Sequence, residues 1–307
     1  MAEYLRQDGQ TLTIPYTGTA TTQSVIYSVY DLSNDSYIQY DEVNESVDNI
    51  FDIVLSTDVT KYDRSLKIEL QIIEEDSYSE SVIFADLVRP FSTIDEIISH
   101  FSKIPGQTGT VANLDVDFLL SLERKARFLI SSYVSDNFRF EYKTVGAYGA
   151  NTDLLHLGQR IESFDKIIYN DYVAYDSTED PAIDELGATI AVAPSKHAIK
   201  VVAEGVNISE WVDQNPLNNP SYFGKDAAYL VRGEYGWKFL PEDVKDCVHE
   251  LINDFVCNDF IYRNKSLKSI QNDAFNIQFS DSAYRGTGNA YVDMVLSKYK
   301  AWNLKAI

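Results

Sequence analysis

Residues 233–245 read GEYGWKFLPEDVK, and this stretch joins the end of an aromatic strand to a strongly signalled helix start. Pro241 suits the first helical position (N1), because its missing N–H has no intrahelical partner there. Glu242 and Asp243 follow in the first turn, where the helix dipole favours negative charge. Apolar residues then recur at helical spacing as far as residue 256. The stretch contains no nucleophile–base pair and no metal-ligand set, so it predicts a packing and assembly element.

The composition is that of an acidic chain with enough apolar residues for a sizeable core. Of the 307 residues, 45% are hydrophobic, which argues against wholesale disorder. Lys and Arg number 26 against 47 Asp and Glu, so the formal net charge is -21. A surface this acidic repels nucleic acid rather than gripping it. The charge indicates either solubility alone or an acidic surface along which DNA moves without binding.

The cysteines and the lengths of the apolar runs indicate the cellular compartment of the protein. Cys247 and Cys257 lie ten residues apart in one predicted helix, a rise of about 15 Å that is too long for a disulfide. They are interpreted as buried thiols of a protein made in a reducing cytoplasm. The first residues lack an apolar signal core, and no run approaches the length of a membrane span. We therefore expect neither secretion nor membrane insertion.

Residues 10–90 have the pattern of a β domain. Short β-branched and aromatic runs alternate with turn-prone segments, and residues 66–72 are apolar at every second position. This pattern predicts an antiparallel β-sandwich of immunoglobulin-like architecture over residues 1–105. A polar segment with one Pro and two Gly at 103–110 indicates a linker, so we place a domain boundary near residue 105.

The second part, residues 106–307, carries the clearest helical signals. Residues 113–136 predict an amphipathic helix that Asn113 can cap. Residues 165–235 predict a β-rich and loop insertion, with a hairpin around residues 170–171 and two further strands near 189–193 and 198–203. A final helix is expected over 291–304.

Few residues in the chain suggest chemistry. The four histidines have no zinc-ligand spacing, and His249 is interpreted as a partly buried structural residue. The glycine pairs within 146–149 and 286–288 do not follow a strand and open a helix, so they predict flexible loops rather than phosphate sites. No catalytic residue, cofactor or metal site is predicted.

Tyrosine is abundant, with 21 copies in the chain. Carbohydrate platforms and protein interfaces both favour this residue. The strand tyrosines are open to either interpretation, and also to a place in the sandwich core or rim: Tyr27, Tyr30, Tyr37 and Tyr40.

The order of the motifs resembles that of head–tail adaptor (connector) proteins of tailed bacteriophages. The similar segments are the helix at 113–136 with its sequel to residue 140, the stretch 157–167, the strand–turn–helix at 233–245, and the loop 284–286 followed by 293–300. The resemblance covers about residues 110–307. Members of that family are often much shorter, so the N-terminal β domain and the 176–226 region are additions.

This resemblance implies a helical-bundle subunit with a hairpin, in a ring usually of twelve copies under the portal. The expected fold class is therefore α+β, with an N-terminal antiparallel β-sandwich and a C-terminal helical-bundle adaptor domain that carries β-hairpin insertions. The adaptor motif maps onto Gly233, Tyr235, Gly236, Trp237, Pro241 and Val244. The portal-facing candidates are Tyr291, Met294, Tyr299, Trp302 and Leu304, with packing inside the subunit as the alternative for these residues.

The function that the resemblance implies is structural. The expected partners are other copies of the chain, the portal, a tail or nozzle protein and a tail fibre, and DNA passes through the lumen without specific binding. We expect no enzyme activity and a place at the head–tail interface of the virion, after assembly in the host cytoplasm. The alternatives are a fibre or baseplate module that binds carbohydrate or protein, and a hydrolase with an unrecognised site. Deleting residues 290–307 is expected to abolish portal association and leave a folded subunit.

Overall fold

A computed structural model describes the chain over residues 2–6, 10–19, 22–45, 49–75, 77–103, 115–136, 138–150, 152–169, 171–177, 188–203, 223–256, 269–271, 276–278 and 286–300. The chain forms two compact units. The strand unit comprises Met1–Arg89 and Arg139–Lys238, and the helical unit comprises Pro90–Phe138 and Phe239–Ile307. The predicted boundary near residue 105 lies outside the described residues, and the division into units runs differently from a single cut there.

The described residues of the first half of the strand unit form seven strands and one short helix. Their bounds are β1 Ala2–Leu5, β2 Leu12–Thr17, β3 Thr22–Asp31, β4 Ser36–Glu45, β5 Ile50–Leu55, α1 Thr57–Thr60, β6 Arg64–Glu74 and β7 Tyr78–Val88. Five strands form one sheet in the order β1-β7-β6-β3-β4, and β2 pairs with β5. Strand β1 runs parallel to β7, so the sheet is mixed and the antiparallel expectation is wrong on this point.

Alternation in the sequence decides which side of the five-stranded sheet is buried. Leu66, Ile68 and Leu70 of β6 point into the core, while Lys67 and Glu69 between them face outward. The β2–β5 pair covers the buried face with further core residues: Ile14, Phe51, Ile53 and Leu55. The alternation at 66–72 therefore correctly predicted a strand with one face in a core.

A buried carboxylate joins the two halves of the strand unit. Asp63 accepts hydrogen bonds from the Arg6 guanidinium Nε at 2.7 Å, from the Arg89 backbone N–H at 2.6 Å and from the Phe140 backbone N–H at 2.7 Å. Arg6 and Asp63 are both buried. Three donors on one carboxylate compensate for the loss of its hydration.

The second half of the strand unit adds two more sheets. The strands are β8 Phe140–Tyr148, β9 Leu154–His156, β10 Ile161–Tyr169, β11 Tyr172–Asp176, β12 Ala188–Val192, β13 Ala198–Ala203 and β14 Ala228–Gly236. They pair in the orders β11-β10-β14-β8 and β12-β13-β9. Tyr169 pairs with Tyr172, which confirms the hairpin predicted around residues 170–171. Gly146 lies within β8, so a flexible loop was the wrong prediction there.

The helical unit contains α2 Ile94–Ser102, α3 Val116–Val134, α4 Glu242–Val256, α5 Ala290–Leu296 and a 3₁₀ turn at Ser297–Tyr299. It also holds two short paired strands, β15 Ser269–Gln271 and β16 Asn276–Gln278. The helices α3, α4 and α5 pack against one another. The predicted helix at 113–136 is present, but its N-cap is Asp115, and Asn113 lies outside the described residues.

The predicted fold class is wrong. The structure is mostly β, with 47% strand and 27% helix, and is not an α+β sandwich followed by a helical bundle. Strands β8, β9, β15 and β16 lie outside the predicted β-rich insertion at 165–235, in the region assigned to the helical adaptor domain. The physical reason is local: segments such as 140–148 and 161–169 are rich in aromatic and β-branched residues, which favour strands.

Candidate functional site

In the strand half of the 233–245 stretch, two glycines pack closely against neighbouring backbone. A Cβ on Gly233 would lie 2.3 Å from the Ser163 carbonyl oxygen, where β10 shifts register. Gly236 has φ +89, and a Cβ there would lie 1.8 Å from the Arg139 carbonyl oxygen. Both contacts are with backbone, which cannot move aside easily. These two positions therefore require glycine for packing.

The aromatic residues of the stretch are tied to the same unit. Tyr235 is buried and its hydroxyl donates to the Val231 carbonyl at 2.8 Å. Burial, with Asp165 nearby, raises the pKa of Tyr235. The Arg160 guanidinium lies 4.0 Å from the centre of the Trp237 ring, a cation–π distance. The resemblance had singled out the segment around Arg160 without indicating this contact.

Arg89 fixes the end of the same segment. Its guanidinium donates to the carbonyl oxygens of Trp237 at 2.6 Å and Lys238 at 2.7 Å. These two bonds anchor the backbone at the end of the strand unit.

The helix half of the stretch lies in the helical unit. The Pro241 carbonyl accepts a bond of 3.3 Å from the Lys245 N–H, the first bond of α4. Pro241 therefore occupies the N-cap position rather than N1, as its carbonyl accepts the first intrahelical bond. Val244 is fully buried and Leu240 is nearly so. The adaptor motif thus consists of packing residues in both units.

The outward side of α5 is apolar. Tyr291 and Met294 expose 55% and 65% of their surface, whereas Val292 and Leu296 on the other side are fully buried. Tyr291 and Met294 are three residues apart and lie on one helix face. We call this pair the α5 face. The structure brings two of the five portal-facing candidates together on it.

Side chains in the loop before α5 and in its first turn form a network of hydrogen bonds that caps the helix. Asn289 Oδ1 accepts from the N–H groups of Tyr291 and Val292 at 3.0 and 3.2 Å. Asp293 Oδ1 accepts from the Thr287 N–H at 2.9 Å and the Thr287 hydroxyl at 2.7 Å. Asn289 Nδ2 also donates to Asp254 at 2.8 Å. The loop predicted at 286–288 is present, and these bonds tie it to α5 through the spacing Thr-x-Asn-x-x-x-Asp.

The other portal-facing candidates have different positions. Tyr299 is partly buried, donates to Asp243 Oδ1 at 2.7 Å and packs edge-on against the Phe138 ring at 5.7 Å. Tyr299 thus contacts its own subunit. Trp302 and Leu304 lie outside the described residues.

A serine–histidine pair is buried in the helical unit. Ser92 Oγ and His249 Nε2 share a hydrogen bond of 2.9 Å, and the His100 ring stacks on His249 with centroids 4.4 Å apart. Nδ1 of His249 has no hydrogen-bond partner among the described residues, so no acid orients the ring as in a catalytic triad. Ser92 is itself buried. His249 is thus buried against Ser92 and His100.

The remaining chemistry of the described residues is sparse. No group of three or more His, Cys, Asp or Glu in this part of the chain is placed to hold a metal ion. Cys247 is a buried free thiol as predicted, and burial raises its pKa to about 12; Cys257 lies outside the described residues. None of the described helices is both long and apolar enough to cross a lipid bilayer.

A tyrosine row lies on the outer face of the five-stranded sheet. It consists of Tyr30, Tyr37 and Tyr40, whose neighbouring rings meet edge to face at 4.9 and 5.3 Å. Tyr37 Oη donates to Glu69 at 2.7 Å. Tyr27, in contrast, lies in the core and donates to the Val54 carbonyl at 3.0 Å. The four strand tyrosines thus comprise one core residue, the half-buried Tyr30, and the exposed Tyr37 and Tyr40.

No protein-family model matches this chain, and no curated protein is significantly similar to it in sequence.

Proposed function

We propose that this chain is a structural virion protein, a head–tail adaptor that forms a ring between the portal and the tail of a tailed bacteriophage. The observation that carries the proposal is the α5 face, an exposed Tyr–Met pair on a helix whose other side is fixed inside the subunit. The order of the motifs along the sequence points to the family. The α5 face supplies a surface for the portal.

The chemistry of the α5 face favours a protein partner. Tyrosine and methionine are enriched in interface cores, and a few such anchors carry most of the binding energy. The cap formed by Thr287, Asn289 and Asp293 holds α5 in place, so little conformational freedom is lost on docking.

The acidic charge supports the role of a conduit. With a net charge of -21, the chain repels the phosphates of duplex DNA. A ring of such subunits would let DNA pass without a retaining contact, and a tail or nozzle protein and a tail fibre would dock on its outer parts. A density map of the ring with a mainly basic bore would contradict this role.

The direct test compares two variants of the full chain. In the first, Tyr291→Ser is combined with Met294→Ser. The matched control is Phe239→Ser, which changes another exposed aromatic residue of the helical unit. Each protein is mixed with the portal protein encoded by the same genome, and co-sedimentation is measured. The proposal expects the double variant to lose portal binding and the control to keep it; equal binding by both would contradict it.

Deleting residues 290–307 is a poor test. Val292 and Leu296 are fully buried, and Asp293 accepts the two bonds from Thr287. Removing them would disrupt the helical unit, so the expectation that this deletion leaves a folded subunit does not agree with the packing.

A second candidate function is a fibre or baseplate module that binds carbohydrate. The observation that favours it is the tyrosine row, whose rings lie beside the carboxylates Glu69 and Asp35. Aromatic faces and carboxylate acceptors suit sugar rings and their hydroxyl groups. Glycan-array binding that Tyr37→Ala and Tyr40→Ala abolish would favour this candidate, and an array without signal would remove it.

A further inference from the structure

The outward side of α3 is aromatic and basic. Phe118 and Phe128 expose 46% and 69% of their surface. From residue 118 to the end of the helix, the exposed charged side chains are Arg124 and Lys125, both cations. The Lys125 ammonium lies 4.1 Å from the centre of the Phe255 ring and forms no ion pair within the described residues. We call Phe118, Lys125 and Phe128 the α3 face.

The outward side of α4 has the opposite charge. Glu242, Asp246 and Glu250 recur every fourth residue, which places them on one side of the helix. Asp246 and Glu250 form no ion pair with any residue that the structure describes. We call these three acids the α4 face. The opposite side of the same helix is buried.

We infer that the α3 face of one copy docks on the α4 face of a second copy of this chain. The inference rests on the proposed function, because it names the contact that would build the ring. Two chains of charge -21 repel each other at long range. A cationic patch that meets an acidic stripe is the arrangement that offsets this repulsion locally.

The phenylalanines supply the binding free energy that the charges do not. Exposed charge pairs contribute little to affinity, whereas aromatic side chains that become buried dominate interface energetics. Phe118 and Phe128 flank Lys125 along α3, so both rings would lose exposed surface when Lys125 meets the acids of the second copy. An isologous match of α3 with α3 is less favourable, because it would bring the cationic Lys125 side chains of the two copies together.

The two faces are different surfaces, so the contact is head to tail. A head-to-tail contact generates a closed ring when its rotation closes and an open filament when it does not. This is the type of contact that a ring-shaped adaptor needs.

The experiment is a charge swap in the full chain, followed by sedimentation velocity. One variant is Lys125→Glu, and the other combines Asp246→Lys with Glu250→Lys. Lys238→Glu is the control, with the same change of charge at an exposed lysine in the strand unit. A fourth variant, Phe128→Ser, removes an anchor without changing charge. Circular dichroism checks that each variant is folded.

We expect the wild-type chain to self-associate with concentration. Each charge variant alone should lower the association constant by about tenfold or more, and Phe128→Ser should do the same. An equimolar mixture of the two charge variants should regain association, since each reversed face then meets a reversed partner. The Lys238→Glu control should associate like the wild type.

Three results would overturn the inference: a wild-type chain that stays monomeric over its whole soluble range, a mixture that associates no better than its parts, or a control as weak as Lys125→Glu. Failure of the inference is distinguishable from failure of the proposed function. Rings that form on the portal with all variants alike would remove the α3–α4 contact and leave the adaptor proposal intact. Normal self-association without any portal binding would remove the adaptor proposal and leave the α3–α4 contact intact.

Discussion

The hydroxyl of Tyr299 donates a hydrogen bond of 2.7 Å to the carboxylate of Asp243, which ties the turn after α5 to the first turn of α4. Lys298 binds the same carboxylate. Partial burial raises the pKa of Asp243, but the bonds from Lys298 and Tyr299 together outweigh it, so the pKa lies below its usual value. The 3₁₀ turn therefore belongs to the fold of the helical unit, while the α5 face before it stays open.

Replacing Tyr299 with Phe tests how much the hydrogen bond to Asp243 stabilises the helical unit. The variant keeps the ring against Phe138 and loses only the hydroxyl, so we expect the free energy of unfolding to fall by about 1 kcal/mol. Tyr291→Phe is the control, because Tyr291 is exposed. Urea unfolding curves give both values. Equal losses for the two variants would show that the Asp243 bond does not stabilise the unit.

A substitution at Gly236 tests whether the 233–245 stretch needs this close backbone approach. Gly236→Ala places a Cβ 1.8 Å from the Arg139 carbonyl oxygen at a φ of +89. Gly158→Ala is the matched control, since Gly158 has φ +67 but nothing within 4 Å of the added Cβ. The control carries the conformational cost alone, about 1–2 kcal/mol. We expect a loss of about 3 kcal/mol or more at Gly236 in the free energy of unfolding; a loss no larger than that of the control would contradict the close approach.

Asp63 tests the buried network of the strand unit. Removing this carboxylate with Asp63→Ala leaves the Arg6 guanidinium buried and two backbone N–H groups without their acceptor. The expected loss is about 3–5 kcal/mol of unfolding free energy. The control Asp58→Ala changes an exposed acid in the first turn of α1 and should lose less than about 1 kcal/mol. Chemical denaturation of both variants decides, and comparable losses would show that the network adds little.

His249 predicts a pH dependence of stability. Burial, and then the neighbouring His100, lower the pKa of His249 below its usual value. In the unfolded chain the imidazole has a pKa of about 6.5, so below that pH the unfolded state binds more protons than the folded state. Stability should therefore fall as the pH drops from about 6.5 through the folded-state pKa, by up to about 1.4 kcal/mol per pH unit.

The variant His249→Gln removes this titration and keeps a side chain that can bond to Ser92. We expect its unfolding free energy to change less between about pH 7 and pH 5 than that of the wild type. Asp and Glu side chains titrate mainly below that window. A variant with the same slope as the wild type would show that another group is responsible.

Local patterns in the sequence predicted local structure well. Strict alternation identified β6, and the amphipathic spacing of residues 116–134 identified α3. Such patterns report which side of an element is buried, and that is all they report. Strand β8 was missed although its residues suit a strand, because glycines at 146 and 149 suggested a loop.

Several contacts within the two units join residues that are far apart in the chain. Asp63 and Phe140 are separated by 77 residues, and Tyr299 and Asp243 by 56. Neither pair has a signature at fixed spacing, so sequence patterns could not predict them. The helical-bundle expectation rested on resemblance rather than on residue pattern, and the strands in the second part of the chain overturned it. Phe118 and Phe128 were also missed, since apolar residues on the outer side of a helix carry no periodic signal of their own.

Negative-stain electron microscopy of the purified chain, with and without the portal protein from the same genome, tests the adaptor proposal most directly. The proposal predicts rings coaxial with the portal when both proteins are present, whether or not the chain alone forms rings. Portal particles that stay bare at saturating concentrations of this chain would contradict it.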